Sequence, residues 1–397
     1  MTDADTNTVA PHAERRKATV LQVLPQLVAG GVERGTVDVA MALAAAGWRA
    51  VVASAGGPMV RELERAGVVH VTLPLASKNP FVMRTNIERL AAVIRNLDVD
   101  IVHARSRAPA WSARYAAKRC ERHFVTTFHN VYGSGSFLKQ RYNAVMATGE
   151  RVIAISRFVA EHAAAVYHVP AERLRIIPRG VDLNRFDPDK VRPERLIPLI
   201  KAWRLSDGVP VVLLPGRLTR WKGQLVLIEA MARLKRPEVH AIILGNGNAR
   251  YRRELEDAVA RSGVGANFRF VEDCADIAAA YMLADVVVSA STSPEGFGRT
   301  IIEAQAMGRP VIATAHGGAL ETIMPGETGW LVPPRDAASL AAALAQVLDQ
   351  DHQSRMAMAA RQIAHIRAHF SSALMAQREL AVYQELMPLV ATATVAA

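Results

Sequence analysis

Short β-branched runs alternate with longer stretches of helical period along nearly the whole chain, and few folds accommodate that rhythm. TVLQVL at 19–24, RAVVAS at 49–54, the run at 100–103, HFVTTF at 123–128 and the runs at 151–155 and 175–177 read as buried strands. Helical patterns at 32–46, 86–96 and 110–118 fill intervals between them. PRGVDLNRFDPDKVRPERL at 178–196 breaks the rhythm with Pro, Asp and Arg, as a linker would. The alternation then restarts: strands at 210–214, 240–244, 268–271, 285–290, 310–314 and 329–332, with helices such as 224–234 and 300–307. Two halves of one kind predict an α/β protein of two doubly wound, Rossmann-like domains facing each other across a cleft. The expected division is a disordered segment at 1–17, a first domain at 18–180, a linker at 181–207, a second domain at 208–370, a closing helix at 371–389 and a flexible tail at 390–397.

Composition narrows the class. Of 397 residues half are hydrophobic, enough for two large cores, and no apolar run is long enough to span a bilayer. The segment before Lys17 has no apolar centre of the signal-peptide kind. Two cysteines, Cys120 and Cys274, fit a reducing cytoplasm and argue against a disulfide scaffold or zinc ribbon. The net charge of +11 is uneven, with 26 Lys+Arg against 17 Asp+Glu in residues 1–190. A basic half suits an anionic partner such as a membrane surface, although it also serves solubility. No nucleic-acid motif accompanies it, so no nucleic-acid partner is expected.

In open parallel sheets ligands bind beyond the carboxyl ends of the strands, so unusual residues there carry the chemistry. PVVLL runs into Gly216, Arg217 and, five residues on, Lys222: two cations in a Gly-containing turn that opens a helix, suited to a diphosphate. DVVVSA runs into SPEGFGRTIIE, in which Glu295 lies in a Gly-rich turn and Glu303 on the helix it opens. Gly296 and Gly298 allow close backbone approach, and the amides of 298–300 suit an anion. The two carboxylates suit hydroxyl pairs of a sugar or ribose rather than a metal, since no further ligands lie nearby, while their spacing leaves a proton-sharing dyad open. HAIIL runs into Gly245 and Gly247, which alone could be a plain turn. Gly30 and Gly31 follow the first strand without the spacing of a dinucleotide fingerprint. His129 ends HFVTTF and is the titratable group of that turn. His103, Arg105 and Arg107 follow another strand end. His365 and His369 lack the glutamate of a zinc protease motif.

GRLTRWKG, GNGNAR, SPEGFGRTIIEAQAMGRPVIATAHGGALETI, IIPRGVDLNRFDP and LVAGGVERGTVDVA together resemble the family 4 glycosyltransferases of the GT-B fold, from about residue 19 to 386. The resemblance implies a retaining glycosyltransferase that moves a sugar from a nucleotide-diphosphate sugar to an acceptor hydroxyl, with no metal and no other cofactor. It implies that Arg217 and Lys222 neutralise the diphosphate and Glu295 holds hydroxyls of the donor sugar. Phe297, Gly298, Arg299 and Thr300 would offer backbone contacts, and Glu303 would bind the ribose. Gly31 would let the first loop approach the diphosphate, and His129 would lie beside the transferring sugar. The first domain would bind the acceptor, with His103, Arg105 and Arg107 on that side, and the closing helix would cross back to it. The expected acceptor is a glycan or lipid-linked molecule of the cell envelope, lipopolysaccharide or capsule type. The expected location is cytoplasmic, peripheral on the inner membrane face. The sequence departs from the family pattern at Arg179, where Asn is usual, and at Arg105, where many members carry His. A nucleotide-sugar epimerase of the same fold and a non-catalytic sugar-nucleotide or membrane-surface binding protein are the competing readings.

Overall fold

The apolar runs are strands of two parallel sheets in the computed structural model, which describes residues 17–28, 30–133 and 135–387. The first sheet contains β1 (Thr19–Val23), β2 (Arg49–Ser54), β3 (Val69–Thr72), β4 (Ile101–Ala104), β5 (His123–Phe128), β6 (Arg151–Ala154) and β7 (Leu174–Ile176), in the order β3-β2-β1-β4-β5-β6-β7. The second contains β8 (Val211–Pro215), β9 (His240–Leu244), β10 (Phe268–Val271), β11 (Val286–Ser289), β12 (Val311–Thr314) and β13 (Trp330–Val332), in the order β10-β9-β8-β11-β12-β13. In each sheet the strand order reverses beside the first strand, between β1 and β4 and between β8 and β11. Loops leaving these strands diverge there and open a crevice at their carboxyl ends.

Helices connect the strands: α1 (Gly31–Ala45), α2 (Val60–Arg65), α3 (Pro80–Asn96), α4 (Arg107–Arg119), α5 (Phe137–Asn143), α6 (Arg157–Tyr167) and α7 (Pro193–Trp203). The later ones are α8 (Gln224–Leu234), α9 (Ala249–Arg261), α10 (Ile277–Leu283), α11 (Arg299–Ala306), α12 (Ala319–Thr322), α13 (Ala337–Leu348), α14 (His352–His369) and α15 (Ser372–Leu386). Strand residues such as Leu21, Val51, Val212, Val286 and Ile312 are fully buried. Each contributes roughly 1.5–3 kcal/mol relative to exposure, which is why the strands read as unbroken apolar runs.

By contacts the chain forms two compact units. One comprises the described residues to Thr127, Tyr142–Val152 and those from Ala376; the other comprises Phe128–Arg141 and Ile153–Met375. The expected disordered start and flexible tail lie outside the described residues, apart from exposed Lys17. The stretch read as a linker contains α7, which starts with Pro193 in its first turn. α3 begins six residues before the expected position: Asn79 Oδ1 accepts from Phe81 N at 2.9 Å, and Pro80 takes the first helical place.

Burial holds His70, His162, His240 and His365 each below the ordinary histidine range. The fold therefore prefers them neutral, while the unfolded chain protonates them near the ordinary 6.5. Their stabilising contribution is complete above that value and is lost as pH falls through the lowered folded values. The thermal midpoint is expected to drop between pH 7.5 and 5.5 by scanning fluorimetry; an unchanged or rising midpoint would contradict this.

Candidate active site

At the switch point of the second sheet, the loops after β8 and β11 lie against each other. Thr292 N donates to Trp221 O at 2.7 Å. Lys222 Nζ donates to Glu295 Oε1 at 2.7 Å, and Ser291 Oγ donates to the same oxygen. Both side chains of this pair are largely buried, and the ammonium also lies 4.7 Å from the Trp221 ring centroid. The Ser291 carbonyl accepts from Thr314 Oγ1 at 2.8 Å and from His316 Nε2 at 2.8 Å. The loop bearing Glu295 is thus pinned to the end of β12, and His316 carries its proton on Nε2. Ser291, Thr314 and His316 escaped the sequence reading, because a hydroxyl that orients a carboxylate leaves no motif.

Arg217 is exposed, and among the described residues its guanidinium forms no ion pair, so it is free to meet an anion. The loops carrying Gly216 and Gly245 pack backbone to backbone. Gly245 has φ +147°, and a Cβ there would sit 2.3 Å from the Gly216 oxygen. Leu218 N donates to Asn246 O at 2.9 Å, and Gly247 bridges to Leu218. These glycines shape the two loops rather than mark a ligand by themselves.

Gly298 is the N-cap of α11. On that helix Glu303 is held at both oxygens: Tyr281 hydroxyl donates to Oε2 at 2.9 Å and Arg299 lies 3.1 Å from Oε1. Complete burial, then Glu303 itself, pushes the Tyr281 hydroxyl well up, so it stays a donor. Phe297 packs edge-on against Phe370 and is buried, which leaves its backbone as the part that can meet a ligand. Thr300 is half-buried at the second helical position. Glu295 and Glu303 therefore have separate partners and share no proton.

The turn after β5 approaches the same loop. A Cβ on Gly296 would lie 3.1 Å from the His129 oxygen and 3.1 Å from Asn130 Cα, so a side chain there would press the two backbones a few tenths of an ångström apart. Ser156 Oγ donates to Gly296 O at 2.6 Å, and the Glu321 carboxylate accepts from Arg157 N at 2.8 Å and Phe158 N at 2.9 Å. Arg179, the departure from the family pattern, donates to His129 Nδ1 at 2.6 Å. Guanidinium only donates, so Nδ1 is bare and the His129 proton sits on Nε2.

In the other unit Gly30 and Gly31 lie at the head of α1, beyond β1. The acceptor-side expectation needs correction for His103 and Arg105, both fully buried. His103 Nδ1 meets the Tyr383 hydroxyl and Nε2 meets Thr127 Oγ1, each at 2.6 Å. Arg105 grips Glu379 of α15 through two nitrogens, at 3.1 and 2.6 Å, and gives Nε to Gln22 at 2.7 Å. Their polar atoms serve the interior. Arg107 donates to Asn143 Oδ1 at 3.0 Å. Among the described residues no group of three or more His, Cys, Asp or Glu is placed to hold a metal.

Residues 198–363 match the family model described as glycosyl transferases group 1, and residues 29–185 match that of glycosyltransferase family 4. A GDP-mannose-dependent alpha-(1-6)-phosphatidylinositol monomannoside mannosyltransferase of Mycolicibacterium smegmatis is 30% identical over 292 residues, covering 70% of this chain and 75% of its own. The crystal structure of a glycosyltransferase from Rickettsia africae superposes with a TM-score of 0.85 at 38% identity, over 93% of this chain and 98% of that one. Anabaena HepE in complex with UDP superposes with a TM-score of 0.79 at 25% identity, over 92% and 100%.

Proposed function

The chain belongs to the family 4 glycosyltransferases, retaining enzymes that draw on a nucleotide sugar, and from that premise we propose that it glycosylates a lipid-linked acceptor of the cell envelope. The observation that carries the donor assignment is the Lys222–Glu295 pair at the switch point, beside the amino end of α11. In this reading Arg217 and Lys222 face the diphosphate with the α11 amides, Glu295 holds hydroxyls of the donor sugar, and Glu303 receives the ribose hydroxyls. Lys222, paired with Glu295 in the free protein, turns part of its charge to the diphosphate when the donor enters.

As the bond from the anomeric carbon to the phosphate oxygen breaks, negative charge grows on the departing diphosphate. Arg217, Lys222 and the helix amides stabilise that charge more in the transition state than before it. The acceptor oxygen bonds to the anomeric carbon on the face the phosphate leaves, and its proton passes to the departing phosphate oxygen. His129, with its proton on Nε2, is a donor toward a sugar hydroxyl. Because Arg179 occupies Nδ1, His129 is not the base.

The lipid-linked acceptor draws support from the basic first half of the chain and from the relative named for a phosphatidylinositol mannoside. No helix among the described residues is long and apolar enough to cross a membrane. The test is calorimetry with UDP-, GDP- and ADP-sugars, followed by transfer of labelled sugar to lipid extracts. One donor should bind and label a lipid fraction. Binding of none would sink the donor assignment; turnover of donor to an isomer without acceptor would indicate an epimerase.

A further inference from the structure

The first unit carries an open groove of about 990 Å³ between α3 and α4 that the residues assigned to sugar transfer leave unused. Its size is at the upper end of the roughly 300–1,000 Å³ that accommodates a sizeable apolar ligand. Met83, Ile87, Trp111, Tyr115 and Tyr142 make its wall. The Trp111 indole nitrogen already donates to Tyr142 O at 3.1 Å, so the ring offers the groove an apolar face. The rim is cationic: Lys78, Arg84 and Lys118 border it, while Arg119 is paired with Glu88.

The two helices explain that rim. α3 carries three arginines and α4 three arginines and a lysine, against the single acid Glu88. Of these, Arg84, Lys118 and Arg119 line the groove together with Lys78, against Glu88 as the one acid of the lining. Large apolar groups are also left facing water here: Tyr115 is 48% exposed and Phe81, at the start of α3, 81%. Both helices begin where β3 and β4 end, the side of a parallel sheet on which ligands bind. The groove runs between the amino half of α3 and the later turns of α4, lined by apolar and cationic side chains together.

We propose that this groove seats one acyl chain of an anionic lipid, with the lipid phosphate against Lys78, Arg84 and Lys118. The proposal rests on the reading of a lipid-linked acceptor and gives the lipid part a location. Aliphatic and aromatic side chains take the hydrocarbon out of water, and long cationic side chains reach past it to the head group. Charge complementarity favours an anionic over a zwitterionic head.

The test uses the full chain and lysophosphatidylglycerol carrying a nitroxide near the end of its chain, below its micellar concentration. It should quench tryptophan emission, and Trp111→Phe should remove most of the quenching. The phosphatidylcholine counterpart should need about tenfold more lipid. Ile87→Arg adds positive charge while filling the groove, and should weaken binding by about tenfold. Tyr115→Ser, at a half-exposed wall position outside the buried core, provides a second variant and should weaken it by at least about threefold. Equal or tighter binding by Ile87→Arg, equal quenching by the two head groups, or no quenching at all overturns the proposal; the last outcome would leave an acidic amphipathic helix as the occupant to seek. Sugar transfer to a water-soluble acceptor should be unchanged in Ile87→Arg. Absence of transfer by the unaltered protein to any acceptor would instead remove the transferase reading and leave the lipid measurement standing.

Discussion

Glu295→Ala is expected to lower kcat by about 10²–10³, the scale found when one preorganised polar partner of a transition state is removed. The carboxylate has two relations that the substitution ends at once. It accepts from Lys222 and from Ser291, and in the proposed reaction it holds hydroxyls of the sugar that is leaving the phosphate. Without it the sugar loses its anchor as charge develops at the anomeric carbon, and Lys222 loses the partner that aims its ammonium. Lys222→Ala should act differently. It takes a cation from the departing diphosphate, which lowers kcat, and it leaves the Glu295 carboxylate without its counter-charge near the incoming diphosphate, so the donor KM rises as well. Donor titrations at saturating acceptor separate the two variants. Turnover of Glu295→Ala within about threefold of the unaltered protein would refute the role given to Glu295, because so small a loss is below that of any transition-state contact.

The strands were legible because parallel strands bury both faces and appear as short apolar runs, as PVVLL and DVVVSA do. β3 escaped because VHVT is only half-buried at the edge of its sheet and keeps no clear period. The start of α3 escaped because its signal is a cap, Asn79 followed by Pro80, rather than a stripe of apolar residues. In the site, Lys222 and Glu295 were each legible as charges at strand ends, yet their pairing is a contact across 73 residues that spacing cannot reveal. The same holds for Tyr281, which supports Glu303 from α10. Arg105 shows the opposite failure. A cation just beyond a strand reads as a ligand contact until its partner, Glu379, is found 274 residues away.

That buried pair gives the second large expectation. Glu379→Leu should destabilise the first unit by about 3–5 kcal/mol, because it leaves the Arg105 guanidinium buried without its counter-charge. Arg105 and Glu379 side chains are 0% and 3% exposed, so water cannot take the place of the lost carboxylate. The Tyr383 hydroxyl also reaches Glu379, at 3.3 Å, and would lose that acceptor. Pairing Glu379→Leu with Arg105→Met removes both charges and leaves apolar groups of similar bulk. The double variant should therefore be more stable than Glu379→Leu alone, a sign that simple loss of packing cannot produce. Hydrogen exchange along α15 is the suitable measurement, since it reports the element that Glu379 anchors without requiring both units to unfold together. Protection of α15 should collapse in Glu379→Leu and recover in part in the double variant. If Glu379→Leu lost less than about 1 kcal/mol of protection, the pair would be no more than a surface-strength ion pair.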